Sequence, residues 1–169
     1  MQVSRIRALR GPNLWSRHTA VEAIVSCDAS DMLVAGLEQQ LRRTFPAIGL
    51  IRSSSPEQPL CLAHALEKIT LALQEQAGCP VTFSRTTPTQ EAGTYQVTVQ
   101  YSEEAVGRRA LTLAQDLCHA AQNGHAFDVE AALAELRDLD EDERLGPSTG
   151  CIVDAAIARG IPVKRMTRG

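Results

Sequence analysis

Nine residues, Cys61-Leu62-Ala63-His64-Ala65-Leu66-Glu67-Lys68-Ile69, carry the most chemically pointed pattern in this chain. Residues three and four apart on an α-helix share a face, so a histidine, a glutamate at i+3 and a second ligand at i+4 can aim three groups at one metal ion. In a helix of that kind the pattern is His-x-x-Glu-His; here the last place holds Lys68. An ammonium has no lone pair for a metal, and its charge opposes an arriving divalent cation. The spacing therefore predicts a degenerate hydrolase frame with no metal bound. Set beside it is a plainer alternative, a solvated helix face on which Glu67 and Lys68 do nothing chemical.

The elements that must position these residues follow from periodicity and punctuation. Leu62, Leu66, Ile69 and Leu73 recur at i, i+4, i+7 and i+11, so Leu60 to Gln76 is expected to be a helix with one buried stripe, stopped by Gly78. Gln2 to Leu9 and Thr19 to Ser26 are expected strands that pair back on each other. Ser30 or Asp31 is a candidate cap for a helix bearing Leu33, Leu37 and Leu41, ended by Phe45-Pro46. Cys79 to Thr86 and Gly93 to Tyr101 predict a second hairpin, the latter alternating Tyr95, Val97, Val99, Tyr101 against polar neighbours. Three helices follow, Glu103 to Gln122, Asp128 to Asp140 and Ser148 to Arg159, with Ser148 a ready N-cap after Pro147. No strand-helix-strand alternation appears. The order predicts an α+β fold: a mostly antiparallel four-stranded sheet packed by about five helices, in a single domain over residues 1–162. Residues 163–169 are basic and unpatterned, like the start of a linker.

Composition narrows the function classes. With 44% hydrophobic residues in 169 the chain can bury one sizeable core, and its net charge of -3 gives no reason to seek nucleic acid or an anionic membrane. No apolar run is long enough to span a bilayer, and no h-region follows the N-terminal arginines. Cys27, Cys61, Cys79, Cys118 and Cys151 are scattered, odd in number and without a Cys-x-x-Cys pair, which points to buried thiols in a reducing cytoplasm. His18, His119 and His125 have no interpretable partner in the sequence.

Four strings carry a resemblance. Residues 7–16 (RALRGPNLWS), 72–83 (ALQEQAGCPVTF), 93–97 (GTYQV) and 145–149 (LGPST) are similar, in order and over essentially the whole chain, to the N-terminal domain of cyanophycin synthetase. The resemblance implies a parent ligase that extends poly-aspartate carrying arginine on its β-carboxyls. In it an ATP-grasp domain adds aspartate, a Mur-ligase-like domain adds arginine, and the N-terminal domain holds the polymer. ATP and magnesium are then cofactors of those other domains, with none in this chain, which lacks a Gly-rich phosphate loop. The parent is expected to be a homo-oligomer.

Some relatives implied by the resemblance are metallohydrolases in this domain, trimming polymer into primers with His-x-x-Glu-His and a downstream acid. His64 matches the first His and Glu67 the Glu, which in such a hydrolase would be the general base; Glu103 or Glu104 matches the downstream acid, and Lys68 departs from the second His. Lys68 is expected to pair with Glu103 or Glu104, filling the ion's place. The expectation is therefore a noncatalytic polymer-binding and docking domain; the rivals are a metal-dependent endo-hydrolase of cyanophycin and a structural oligomerisation module. A polymer with carboxylates and guanidinium groups calls for arginines and acids on the surface. The candidates are Arg10, Arg85, Arg108 and Arg109 for carboxylates, Asp138, Asp140 and Glu141 in a turn between two helices for guanidinium groups, and Trp15 as an apolar or cation-π surface. Each has a plainer alternative: ion pairs for the charges, a loop anchor for the tryptophan.

Overall fold

Strand alternation gives the sheet one apolar face. Val21, Ala23 and Val25 lie opposite Val99, Val97 and Tyr95, while Glu22, Ile24 and Ser26 point the other way with Thr98, Gln96 and Thr94. The computed structural model describes residues 1–11, 17–53, 59–143 and 147–163, with backbone alone at 147 and 148. Trp15, the Ser148 side chain and the basic tail from residue 164 lie outside the described side chains, and the backbone at Ser148 lies inside a helix already begun at Pro147, so Ser148 is not its N-cap. The strands are β1 (Gln2–Leu9), β2 (Ala20–Ser26), β3 (Ser84–Pro88) and β4 (Thr94–Gln100). The helices are α1 (Ala35–Thr44), α2 (Leu62–Ala77), α3 (Glu104–Asn123), α4 (Val129–Glu143) and α5 (Pro147–Ala158). All strand pairs are antiparallel, in the order β1-β2-β4-β3, so the α+β expectation of a four-stranded sheet and five helices holds in one small domain.

Helices α2 and α3 cover the apolar face, packing on each other and on α4. Leu62, Leu66, Ile69 and Leu73 are all fully buried, and a leucine or isoleucine taken from water to a core contributes about 1.5–3 kcal/mol. Gly78 closes α2 in the left-handed region at φ 98°, its N–H reaching back to the carbonyls of Gln74 and Glu75. Gly107 lets α3 come close to the end of β4, because a Cβ there would stand 2.5 Å from the Cβ of Tyr101.

Three boundaries differ from expectation by three or more residues. The first helix starts at Ala35 because Asp28, not Ser30 or Asp31, caps a short 3-10 turn over Ala29–Asp31, after which Met32 bridges to Cys61. The third strand starts at Ser84: the N–H groups of Thr82 and Phe83 are taken by the Gln100 side chain at 3.0 and 3.1 Å instead of by the ladder. Helix α4 runs to Glu143, so the acidic run expected in a turn is helical.

Candidate functional site

Helix α2 places His64 and Glu67 one turn apart, both toward the sheet and both buried, at 1% and 4% exposed. His64 works as a helix cap. Its Nδ1 accepts the backbone N–H of Cys61 at 3.3 Å, completing a capping box in which Cys61 and His64 stand where serine and glutamate usually do. An N–H aimed at Nδ1 needs the lone pair there, so the ring proton sits on Nε2. That atom is buried without a hydrogen-bond partner among the described residues, and the ring packs edge-on to Tyr95 with centroids 5.4 Å apart.

Glu67 faces a different strand. Ser84 Oγ donates to its Oε1 and Thr86 Oγ1 to its Oε2, each at 2.6 Å, and Lys68 Nζ lies 3.0 Å from Oε1. Lys68 also reaches Ser84 Oγ at 3.4 Å. The pairing expected between Lys68 and the acids of the next helix is thus replaced by one with its own neighbour. Two hydroxyls and an ammonium fill the carboxylate, which ties α2 to β3.

The downstream acids are elsewhere. Glu104 opens α3 and is held by Arg10 at 3.0 Å and Arg108 at 3.0 Å, while Glu103 precedes it as the N-cap residue. Partial burial opposes ionisation of Glu104, but hydrogen bonds from Arg108 and Arg10 outweigh it and hold the carboxyl below its ordinary range. Among the described residues no three histidine, cysteine, aspartate or glutamate side chains form a group that could hold an ion.

The polymer candidates separate on the same criterion. Arg10 and Arg108 share Glu104, and Arg109 is paired with Glu135 at 2.5 Å. Asp138 and Glu141 are exposed on α4, but Asp140 turns inward, 5% exposed, with the Cys79 thiol 3.8 Å away. Arg85 is different. It is exposed on β3, and no described group pairs with its guanidinium.

Its surroundings are on the outer sheet face. In register across the four strands lie Arg7, Glu22, Thr98 and Arg85. Glu22 is 1% exposed, clasped by Arg7, by Arg5 at 3.6 Å and by Gln96 Nε2 at 3.0 Å. Beside this network is an open cavity of about 500 Å³ lined by Arg85, Thr87, Pro88, Thr89, Gln90, Gln96 and Thr98, with no acid among its described lining residues. The polar residues at alternate places in β2 and β4 were the signal for this face; what hid it was the register, which only the folded sheet reveals.

Comparison with known proteins agrees with the sequence resemblance. Residues 22–123 match the family described as cyanophycin synthase-like N-terminal domain. The chain is 32% identical over 184 residues to the cyanophycin synthetase of Trichormus variabilis, 31% over 182 to that of Geminocystis herdmanii and 31% over 181 to that of Synechocystis sp.. Each alignment takes in 96% of this chain, which spans about a fifth of the length of these curated relatives. The chain belongs to the cyanophycin synthase-like N-terminal domain family.

Proposed function

We propose that this domain grips cyanophycin for ligase sites carried elsewhere in a cyanophycin-synthetase-like enzyme, and does no chemistry itself. The observation that carries the proposal is the division of labour among its charged groups. His64, Glu67 and Glu104, the groups a hydrolase would use, are all engaged in the domain's own cap, latch and ion pairs. Arg85 faces an open cavity and has no acid paired with it among the described residues. In the parent, an ATP-grasp domain and a Mur-ligase-like domain, supplied with ATP and magnesium, would extend the polymer that this domain retains.

Weak contacts to repeated units keep a chain end at high effective concentration near those sites. Each exposed contact contributes about 0.2–1 kcal/mol, so affinity rises with polymer length and falls with salt. Co-sedimentation of the chain with polymer fractions of graded length tests this; equal affinity for short and long fractions would overturn the avidity mechanism.

A second reading, an assembly module, is favoured by α5 and the segment after it, where Ile152, Ile157, Ile161 and Val163 are 71, 61, 53 and 45% exposed. Sedimentation velocity separates the two: concentration-dependent self-association together with indifference to polymer would replace the first reading by the second.

A further inference from the structure

We infer that the cavity on the outer face of β3 and β4 is a subsite for an amide N–H and a carboxylate borne on one carbon, the group each arginyl side arm of the polymer presents. This rests on the polymer-gripping reading and names the part of the polymer that is held.

The chemistry is fixed by the buried network behind the cavity. Glu22 Oε1 can only accept, so the Gln96 group lying 3.0 Å from it must be the NH₂. The Gln96 carbonyl is therefore left for the cavity, where it accepts an N–H. Gln96 is 8% exposed and Glu22 1%, and Arg5 and Arg7 hold Glu22 from the other side, so the carbonyl is presented by a fixed support.

Arg85 supplies the complementary half. It pairs in register with Thr98, and Thr87 with Gln96, which makes Arg85 and Gln96 diagonal neighbours about 7–8 Å apart, their Cβ atoms somewhat closer. A guanidinium fork binds a carboxylate through two N–H groups, and its flexible stem spans the remaining distance. The hydroxyl of Thr98, 4% exposed in the cavity wall, adds a further polar contact.

An arginine joined through its α-amine to an aspartate β-carboxyl keeps its α-carboxylate one carbon from the new amide N–H. That pair matches a carbonyl acceptor beside a guanidinium donor. The main-chain terminus offers the same pair once per polymer; the side arms offer it at every unit, as retention by repeated contacts requires.

The test is a ¹H–¹⁵N titration of the 169-residue chain with N-acetyl-L-arginine, its C-terminal carboxamide and inorganic phosphate, alongside polymer co-sedimentation of the chain and of Arg85→Ala. N-acetyl-arginine is expected to move the amide signals of Thr87, Gln96 and Thr98, and the carboxamide to bind at least about fivefold more weakly, since a charged hydrogen bond is lost. Arg85→Ala, at an exposed position that leaves the remaining spectrum unchanged, is expected to abolish those shifts and weaken polymer binding about tenfold. Polymer binding unchanged in Arg85→Ala would overturn the subsite and leave the gripping function standing. Equal shifts with phosphate, or with the carboxamide, would reduce it to an unspecific anion or amide contact and overturn it as well. A parent chain that ignores polymer would overturn both.

Discussion

Replacing Glu67 by alanine removes the acceptor shared by Ser84, Thr86 and Lys68, and the size of the loss distinguishes a structural latch from an idle catalytic relic. The Thr86 hydroxyl is buried at 2% exposed and would lose its charged partner, a contribution of about 1.5–3 kcal/mol. Ser84 is half-buried and regains water, so its loss is about 0.5–1.5 kcal/mol. Lys68 is 32% exposed and can turn to solvent, adding at most about 1 kcal/mol. The sum is about 2–5.5 kcal/mol, and at about 2–4 °C per kcal/mol for a chain of this size the midpoint should fall by about 4–22 °C. Urea denaturation followed by circular dichroism reads the free energy, and a cycle with Thr86→Val isolates the pair. A loss under about 1 kcal/mol, or a gain in stability, would refute the latch, since residues strained for catalysis commonly stabilise a fold when removed.

Other expectations follow from the same geometry. Lys68→His restores the His-x-x-Glu-His pattern, yet His64 Nδ1 is used by the Cys61 N–H and Glu67 by two hydroxyls, so micromolar zinc should leave the thermal midpoint unchanged; a zinc-dependent rise of several degrees would show that the frame still converges. Gly107→Ala puts a methyl 2.5 Å from Tyr101 Cβ inside a packed helix contact and should destabilise by about 1–3 kcal/mol in thermal or urea unfolding, with no change there contradicting the close approach. Glu104 has a lowered carboxyl, so its contribution is present above the ordinary glutamate value of about 4.3 and is lost as pH falls through the lower folded value. Glu104→Gln should accordingly flatten the acid limb of the stability–pH curve; an unaltered limb would mean that Arg10 and Arg108 do not favour its ionised form.

The periodic parts of the fold were legible in the sequence for clear reasons. The α2 stripe and its glycine stop are local signals, β4 announces itself by alternation and β2 by its β-branched, apolar run. The shifted start of β3 was not legible, because a side chain from the opposite strand, Gln100, captures the backbone N–H groups of Thr82 and Phe83. The acidic end of α4 was hidden by its composition: acids oppose the helix dipole at a C-terminus, but Asp140 turns into the interior beside Cys79. At the site, the His64-Glu67 spacing was visible and its purpose was not. The hydroxyl partners of Glu67 lie 17 and 19 residues away, placed by sheet register, and the capping box of His64 uses a cysteine where the usual pattern has serine or threonine. The Arg85 cavity depends wholly on which residues of β3 and β4 come abreast.

The gripping function is tested most directly by co-sedimenting the chain with insoluble cyanophycin while polymer length and salt are varied, in parallel samples with chelator and with added metal. The expected result is retention that strengthens with length, weakens with added salt and leaves the polymer's size unchanged. Free protein at every length, or shortening of the polymer by a metal-supplemented sample that chelator stops, would contradict it.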